Sequence, residues 1–469
     1  MEKELRGWEK DLATLVVGAD TLWGGDYKAP SGKDHFVAEP WTSEWETPNV
    51  YVDSLAAELR AQGGVLGLKG RQAEIQDFAE RHDLTGLAAK IREEEKSLPR
   101  HRADFIHNLV EGLSLIVLTG LATAGADGYS LPIFEGRYRA ATLSRCSIQL
   151  VDVKEERKNL RDLLSKAGYK NRSLLGAVQK WEAAHGRLDP EQIPQKVIEI
   201  LSKITPLAKE QLIRHLDVQL KGDVWKRLID VPYDGFEFEM FSMPSRPEIT
   251  GTQAYFGGNK LQRPALRGLF EYNKDYPMTY LGLIALCLHE VMPGHYFHSV
   301  ATDLSRGLGF EASIPTMCSP QVALWEGVAQ NAINFLFDTE DEAYATLANV
   351  FGVNEIDLRI QYALDRLMDA AKHNAPIMHQ REGMSEMKIR EYASKTCALT
   401  DPLPTKIWGW AKHPLMGPMY ACSYENGRRV VAQGIKEHGR IPAAIVAYNL
   451  NGSIVDIKTF KNILNSLRD

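Results

Sequence analysis

The chain has 469 residues, 44% of them hydrophobic, enough for a large core arranged as two or three domains or as one continuous helical body. A net charge of −6 gives no electrostatic footing for nucleic acid or an anionic membrane as partner. Five scattered cysteines (Cys146, Cys287, Cys318, Cys397, Cys422) include no C-x-x-C pair, which argues against a disulfide framework and fits a reducing cytoplasm.

The opening stretch MEKELRGWEKDLATLVV lacks a long apolar run and carries acids throughout, so no secretory signal is expected. Residues 1–25 and 51–62 set apolar positions at helical spacing, with an irregular loop rich in proline and aromatics between them. Residues 70–126 predict three helices, broken at Leu84-Thr85-Gly86 and at Leu98-Pro99. The most membrane-like stretch, Leu109 to Ala126, contains Glu111, is glycine-rich and falls short of the ~20 apolar residues a span needs, so a buried helix is expected. Residues 129–153 fit strand or helix. From Lys154 to Leu228 helix follows helix, punctuated by Gly168, Gly186 to Pro190 and Pro206, with solvated polar faces. Lys and Arg there stand beside Glu and Asp, so no nucleic-acid-binding stripe is expected. The predicted organisation is a helical N-terminal half (1–230) and a metal-binding catalytic half (231–469), or one continuous domain.

Beyond residue 231 the pattern changes. Phe236 to Phe241 alternates with period two, the signature of a strand with one buried face. Thr252 to Phe256 reads as a second strand, and Gly257-Gly258-Asn259 as a turn. The pair is expected to form a small hairpin, either purely structural or one wall of a cleft. An apolar run, Tyr280 to Cys287, then leads into LHEVMPGHYFH. His-Glu at the end of a buried helix needs a partner, because desolvating charge is expensive, and a metal would serve. Yet His289 and His295 are six residues apart. On a regular helix that is roughly 600° of rotation, leaving the rings about 120° out of line and about 9 Å apart along the axis. Pro293 removes a backbone donor and crowds the carbonyl of His289, while Gly294 accepts backbone angles closed to other residues. The expectation is a break at Pro-Gly that swings His295 back toward His289. The plain alternative is a kinked core helix with incidental histidines.

HEVMPGH resembles the H-E-x-x-P-G-H signature of the domain-of-unknown-function 885 family, α-rich proteins regarded as zincin-like metallohydrolases. Thr252 to Phe256 and Gly268 to Asn273 are similar to the strand-like segments before that family's metal helix. Trp325-Glu326-Gly327-Val328-Ala329 is similar to its E-G-W-A segment, and Pro418 to Gly427 to its P-G-Q-A-x-S-Y-x-x-G segment. The likeness spans roughly residues 235 to 440. It departs from the family at His298 (usually Gln), Val328 (Trp) and Asn331 (Tyr), beside the proposed ligands.

The resemblance implies a mainly α fold: a large helical, zincin-like body of gluzincin type, with a small β-hairpin or short sheet beside the metal helix. It implies a site in which His289, His295 and Glu326 bind Zn²⁺. Three protein ligands plus water is the usual catalytic arrangement, and a carboxylate in the apolar stretch around Glu326 calls for compensation. Glu290, next to a ligand but projecting differently, suits a general base. Tyr424 is the expected oxyanion donor, with Tyr420 four residues earlier as its substitute. His298 is a candidate for supporting the site or touching substrate. Asp369 and His373 stand four apart and are candidates for pairing on one helical face. His379 is a further candidate near the substrate, and Arg428 and Arg429 are candidates for a substrate carboxylate. A zinc hydrolase of short peptides or small amides is therefore expected. Two readings stay open beside it: a metalloenzyme using Zn, Fe or Mn on a specialised metabolite, and a catalytically silent helical binding protein. Substrate identity and oligomeric state are not legible.

Overall fold

Helices form where the apolar spacing predicts them. In the computed structural model, the described residues are 5, 7–23, 50, 52–144, 148–216, 236–244, 250–258, 266–304, 311, 317–452 and 455–467. The loop between residues 24 and 49, and the last expected helical stretch from 217 to 228, lie outside them. Residues 70–126 fold as Gln72–Arg81, Leu87–Glu95 and Arg100–Ala124, with the breaks at the two predicted places. Pro99 (φ −53°) leads into the long helix, and Gly125, in the left-handed region at φ 85°, ends it by donating to the carbonyls of Ala122 and Leu121. Among the described helices this is the one long and apolar enough to cross a membrane. Its apolar residues Leu109, Val110, Leu113, Ile116, Val117 and Leu121 are instead buried against protein.

Two expectations resolve in instructive ways. Pro206 does not end its helix: Ile193–Ala208 continues through it and widens into a π-turn at Lys209–Ile213. Such a bulge accommodates the ladder that proline's missing N–H disrupts. The ambiguous 129–153 region contains one helix, Phe134–Thr142, and its described residues beyond 142 have no regular secondary structure. There the Val151 N–H donates to Asn374 Oδ1 (2.7 Å), and its carbonyl accepts from Asn374 Nδ2 (2.9 Å). A side-chain amide thus satisfies the strand-like backbone that a ladder would otherwise pair.

The sheet has three strands, β1 (Phe236–Phe241), β2 (Gly251–Gly258) and β3 (Leu266–Asn273), in the order β1-β3-β2. The two strands expected to pair as a hairpin are the outer ones. β1 runs parallel to β3 (Phe236 opposite Gly268) and β2 antiparallel to it (Gly251 opposite Tyr272). Central β3 is buried from Gly268 to Asn273, which erases the alternation that marks a half-exposed strand. β3 feeds through a short turn into helix Tyr280–Glu290, and β2 packs on helix His295–Leu304, so the sheet lies beside the histidine segment.

Buried apolar residues form two main clusters. One draws on residues 5–141 together with Cys318, Leu415 and Met419. The other runs from Val153 to Leu464 and takes in helices on both sides of the sheet. The tightest contact is a crossing of helices Pro320–Gln330 and Cys422–His438. A Cβ on Gly327 would stand 2.5 Å from the Gly427 backbone, and one on Gly427 would stand 1.9 Å from the Ala323 carbonyl oxygen. Only two glycines allow this approach. Asn331 ties the crossing together, donating to the carbonyls of Gly327 (2.7 Å) and Arg428 (3.0 Å). Gly427→Ala is expected to cost about 3 kcal/mol, the upper end of overpacking penalties, read as a lower urea midpoint at unchanged slope. A wild-type midpoint would contradict the crossing.

Candidate metal centre

Thr279 caps the first histidine helix by accepting from the Gly282 N–H at 3.0 Å, and the helix buries Leu281, Leu283, Ile284, Cys287 and Leu288. It ends at Glu290. The N–H groups of Val291 and Met292 both turn back to the Cys287 carbonyl, at 3.0 and 3.2 Å. Pro293 follows in a cis peptide, and its carbonyl accepts from the Tyr448 hydroxyl at 2.8 Å. Gly294 then passes so close to the first helix that a Cβ there would lie 1.7 Å from the His289 carbonyl oxygen. A new helix begins at His295, with His298 N–H donating to the Gly294 carbonyl at 3.0 Å. The predicted break therefore exists, and it brings the two imidazoles to 4.8 Å between centroids, with planes at 87°.

Glu326 arrives from helix Pro320–Gln330. Its Oε2 lies 3.4 Å from His289 Nε2 and 3.6 Å from His295 Nε2. One ligand atom from each of the three residues falls within a sphere of contact no wider than 4.8 Å. Ligands at the 2.0–2.1 Å bond lengths of zinc stand about 3.4 Å apart around a tetrahedron, so both measured separations match its edges. The donor atoms also fit a cation chemically. Glu326 Oε2 is buried without a well-formed hydrogen bond, whereas Oε1 is taken by the Tyr420 hydroxyl at 2.9 Å. In the chain alone, burial would raise the Glu326 carboxyl, but the two imidazoles more than reverse this and hold it well below the usual carboxylate range. Burial pulls His295 down, and contact with Glu326 raises it overall. The cluster favours an ionised carboxylate facing two imidazoles, the electrostatics of a cation site.

Glu290 Oε1 is 3.9 Å from His289 Nε2, alongside the three-residue set and not part of it. Burial raises its carboxyl above the ordinary value. Tyr420 and Tyr424 share a 2.7 Å hydrogen bond. Since Tyr420 donates its proton to Glu326, Tyr424 donates to Tyr420. Both phenols are held neutral by burial. The two tyrosines that the sequence offers as alternatives thus have separate positions: Tyr420 fixes the ligand carboxylate, and Tyr424 stands one bond further out, its ring parallel to His289 (8°, 6.5 Å). Lys372, which sequence reasoning missed, is buried with its Nζ 3.4 Å from the Tyr424 ring centroid and 5.2 Å from that of Trp410. Its signal was a lone cation within Ala370-Ala371-Lys372, the same oddity that marked His289-Glu290.

The other candidates lie elsewhere or are otherwise engaged. His298 is fully buried, packed on Trp325 (5.1 Å) and Tyr448 (5.5 Å), not facing a cleft. Burial, helped by His295, pushes its imidazole down to about 3, and its contact with the Ala447 backbone falls short of a well-formed hydrogen bond. Asp369 and His373 do not pair. Asp369 meets Lys372 (3.4 Å) and Gln330 (3.2 Å), whereas His373 Nε2 bonds the Gln149 carbonyl (3.2 Å), because the two side chains leave the helix toward different neighbours. His379 bonds the Met384 carbonyl at 2.8 Å and packs on Trp408. Arg428 and Arg429 are both spent on Glu425, at 2.8 and 2.5 Å, an internal carboxylate in place of a substrate's.

No protein-family profile matches the chain, and no curated protein matches its sequence. Among solved structures it is similar to a candidate lipoprotein from Colwellia psychrerythraea, with TM-score 0.52 and 14% identity over 86% of this chain and 70% of that one. It is likewise similar to a candidate lipoprotein of unknown function from Shewanella oneidensis, with TM-score 0.52 and 14% identity over 87% of this chain and 76% of that one. At such identity the likeness concerns the fold.

Two tests follow from the geometry. Gly294→Ala should part the histidine helices, seen as lost stoichiometric metal binding with the far-UV helical signal retained; full metal content would contradict the turn. For His298, the unfolded imidazole titrates near 6.5 and the buried one near 3. The unfolded chain then binds the extra proton, so this residue's contribution to stability falls as pH drops through that window. His298→Gln should gain in urea midpoint relative to wild type between about pH 7 and about pH 4; a constant difference would show that the ring is not buried neutral.

Proposed function

We propose that the protein is a zinc-dependent hydrolase acting on a peptide or small amide-bearing metabolite. One observation carries the reading: two imidazoles and an unsatisfied carboxylate oxygen converge within 4.8 Å, the oxygen at tetrahedral-edge length from each imidazole, with a second, half-buried carboxylate beside them. His289, His295 and Glu326 would hold the ion. When bound, zinc supplies Lewis acidity and lowers the pKa of water to about 7. Two imidazoles and one glutamate make a catalytic zinc set with a position left open.

The chain's own groups complete the chemistry. Glu290 takes a proton from water as its oxygen attacks the amide carbonyl carbon, and returns that proton to the nitrogen as the C–N bond breaks. The raised carboxyl of Glu290 suits a group that must accept and then release a proton. Tyr424 swings its hydroxyl from Tyr420 to the carbonyl oxygen and donates a hydrogen bond to the charge that develops there. The exchange gives up one neutral hydrogen bond, about 1 kcal/mol, for a stronger one to an anion. Tyr420 keeps Glu326 Oε1 occupied, leaving Oε2 for the ion. A cytoplasmic location goes with this reading, since Cys287, Cys318, Cys397 and Cys422 are all free thiols.

Elemental analysis of protein purified without added metal, followed by chelation and reconstitution with Zn²⁺, Fe²⁺ or Mn²⁺, tests the proposal. One zinc per chain is expected, with zinc the best restorer of peptide or amide hydrolysis. His289→Ala and Glu326→Gln should lose the zinc, whereas Glu290→Gln should keep it and lose about 10²- to 10⁴-fold in turnover. Full zinc occupancy in the two ligand variants would overturn the ligand set. A better response to iron or manganese would overturn the metal.

A further inference from the structure

Lys372 has no part in the proposed hydrolysis, yet it is a buried cation at the edge of the site, its side chain 5% exposed. Buried ammonium groups are stable only when neutralised and supplied with acceptors. Here the charge is offset by Asp369, but the separation from Asp369 Oδ1 is 3.4 Å. That exceeds the about 2.7–2.9 Å of a charge-assisted hydrogen bond. Asp369 Oδ1 also accepts from Gln330, and its Oδ2 is buried without a partner, so the pair is held off good geometry. The remaining contacts of Nζ are the faces of Tyr424 and Trp410, at 3.4 and 5.2 Å. Ring faces attract a cation but offer no lone pair along which an N–H can align. The ammonium has three donors, and among the described residues none meets an acceptor in well-formed hydrogen-bond geometry.

Its position adds meaning. The Tyr424 ring that carries the ammonium lies parallel to the His289 ring on a 6.5 Å centroid spacing. Glu290, His289 and His295 are partly open to solvent, at 12%, 17% and 13% side-chain exposure.

We infer that Lys372 binds a carboxylate of the substrate, and that the substrates are N-acyl amino acids or short peptides bearing a free C-terminal carboxylate. The identity of the scissile bond rests on the hydrolase reading; the anion contact does not, and equilibrium binding measures it without turnover.

The test is calorimetric titration of the zinc-loaded protein with a panel of N-acyl amino acids and N-acyl dipeptides, each paired with its neutral C-terminal carboxamide. Acids should bind about 10- to 100-fold more tightly than their carboxamides, as expected for hydrogen bonds to a charged group. In Lys372→Met that ratio should fall to near one with zinc content maintained, while the melting temperature drops because Asp369 loses its partner. Equal wild-type affinity for acid and carboxamide, or no binding of either, overturns the inference without reference to any variant. A ratio unchanged in folded, zinc-loaded Lys372→Met overturns the assignment to Lys372. Acid preference with no hydrolysis of any panel member would keep the anion site and remove the hydrolase reading. Hydrolysis with no acid preference would do the reverse.

Discussion

The His289 carbonyl oxygen and the backbone at Gly294 approach so closely that no side chain fits between them, and the candidate metal centre depends on that contact. A continuous helix would send the imidazoles of His289 and His295 to different faces. Ending the first helix at Glu290 and restarting at residue 295 resets the phase, and the hydrogen bond from Tyr448 to the Pro293 carbonyl fixes the turn from outside. The third donor reaches the site through a limit of the same kind. Gly327 and Gly427 let two helices cross at backbone contact, which carries Glu326 on one helix to the tyrosines at the start of the other. Three site residues are adjacent to a glycine or one turn from it: His295 follows Gly294, Glu326 precedes Gly327, and Tyr424 stands three before Gly427.

Electrostatics then decide what such a junction can hold. Two imidazoles and an ionised carboxylate, gathered at 3.4 and 3.6 Å, leave one carboxylate oxygen without a well-formed hydrogen bond. Tyr420 occupies one carboxylate oxygen and leaves the other bare. A cation would satisfy all three donors at once. Lys372 shows the complementary deficit nearby, a cation short of acceptors. The two unsatisfied groups flank Tyr424, so the site has a demand for positive charge at one end and for negative charge at the other.

Much of this was legible in the sequence where local rules dominate. The breaks at Leu84-Thr85-Gly86 and Leu98-Pro99, and the resetting at Pro293-Gly294, act through backbone sterics within a few residues. Contacts between distant segments were not. The strand order β1-β3-β2 was hidden because β3 is buried on both faces and shows no alternation. Asn374 supplies the hydrogen bonds that Val151 would otherwise seek from a strand, 223 residues away in sequence. Arg428 and Arg429 look free for a substrate until Glu425, on their own helix, is seen to claim both. The division of labour between Tyr420 and Tyr424 follows from Glu326, which is 94 residues before the first of them. Spacing alone could name the pair but not order it.

The central claim is that one ion sits between two histidines and a glutamate drawn together by the turn and the helix crossing. Anomalous-difference density from a crystal, collected on both sides of the zinc absorption edge, addresses it most directly. The account predicts a single strong peak, present only above the edge, bonded to His289, His295 and Glu326 Oε2 at about 2.0–2.2 Å with a remaining position open. No peak among these side chains in crystals grown with zinc, or a peak held by other residues, would contradict it.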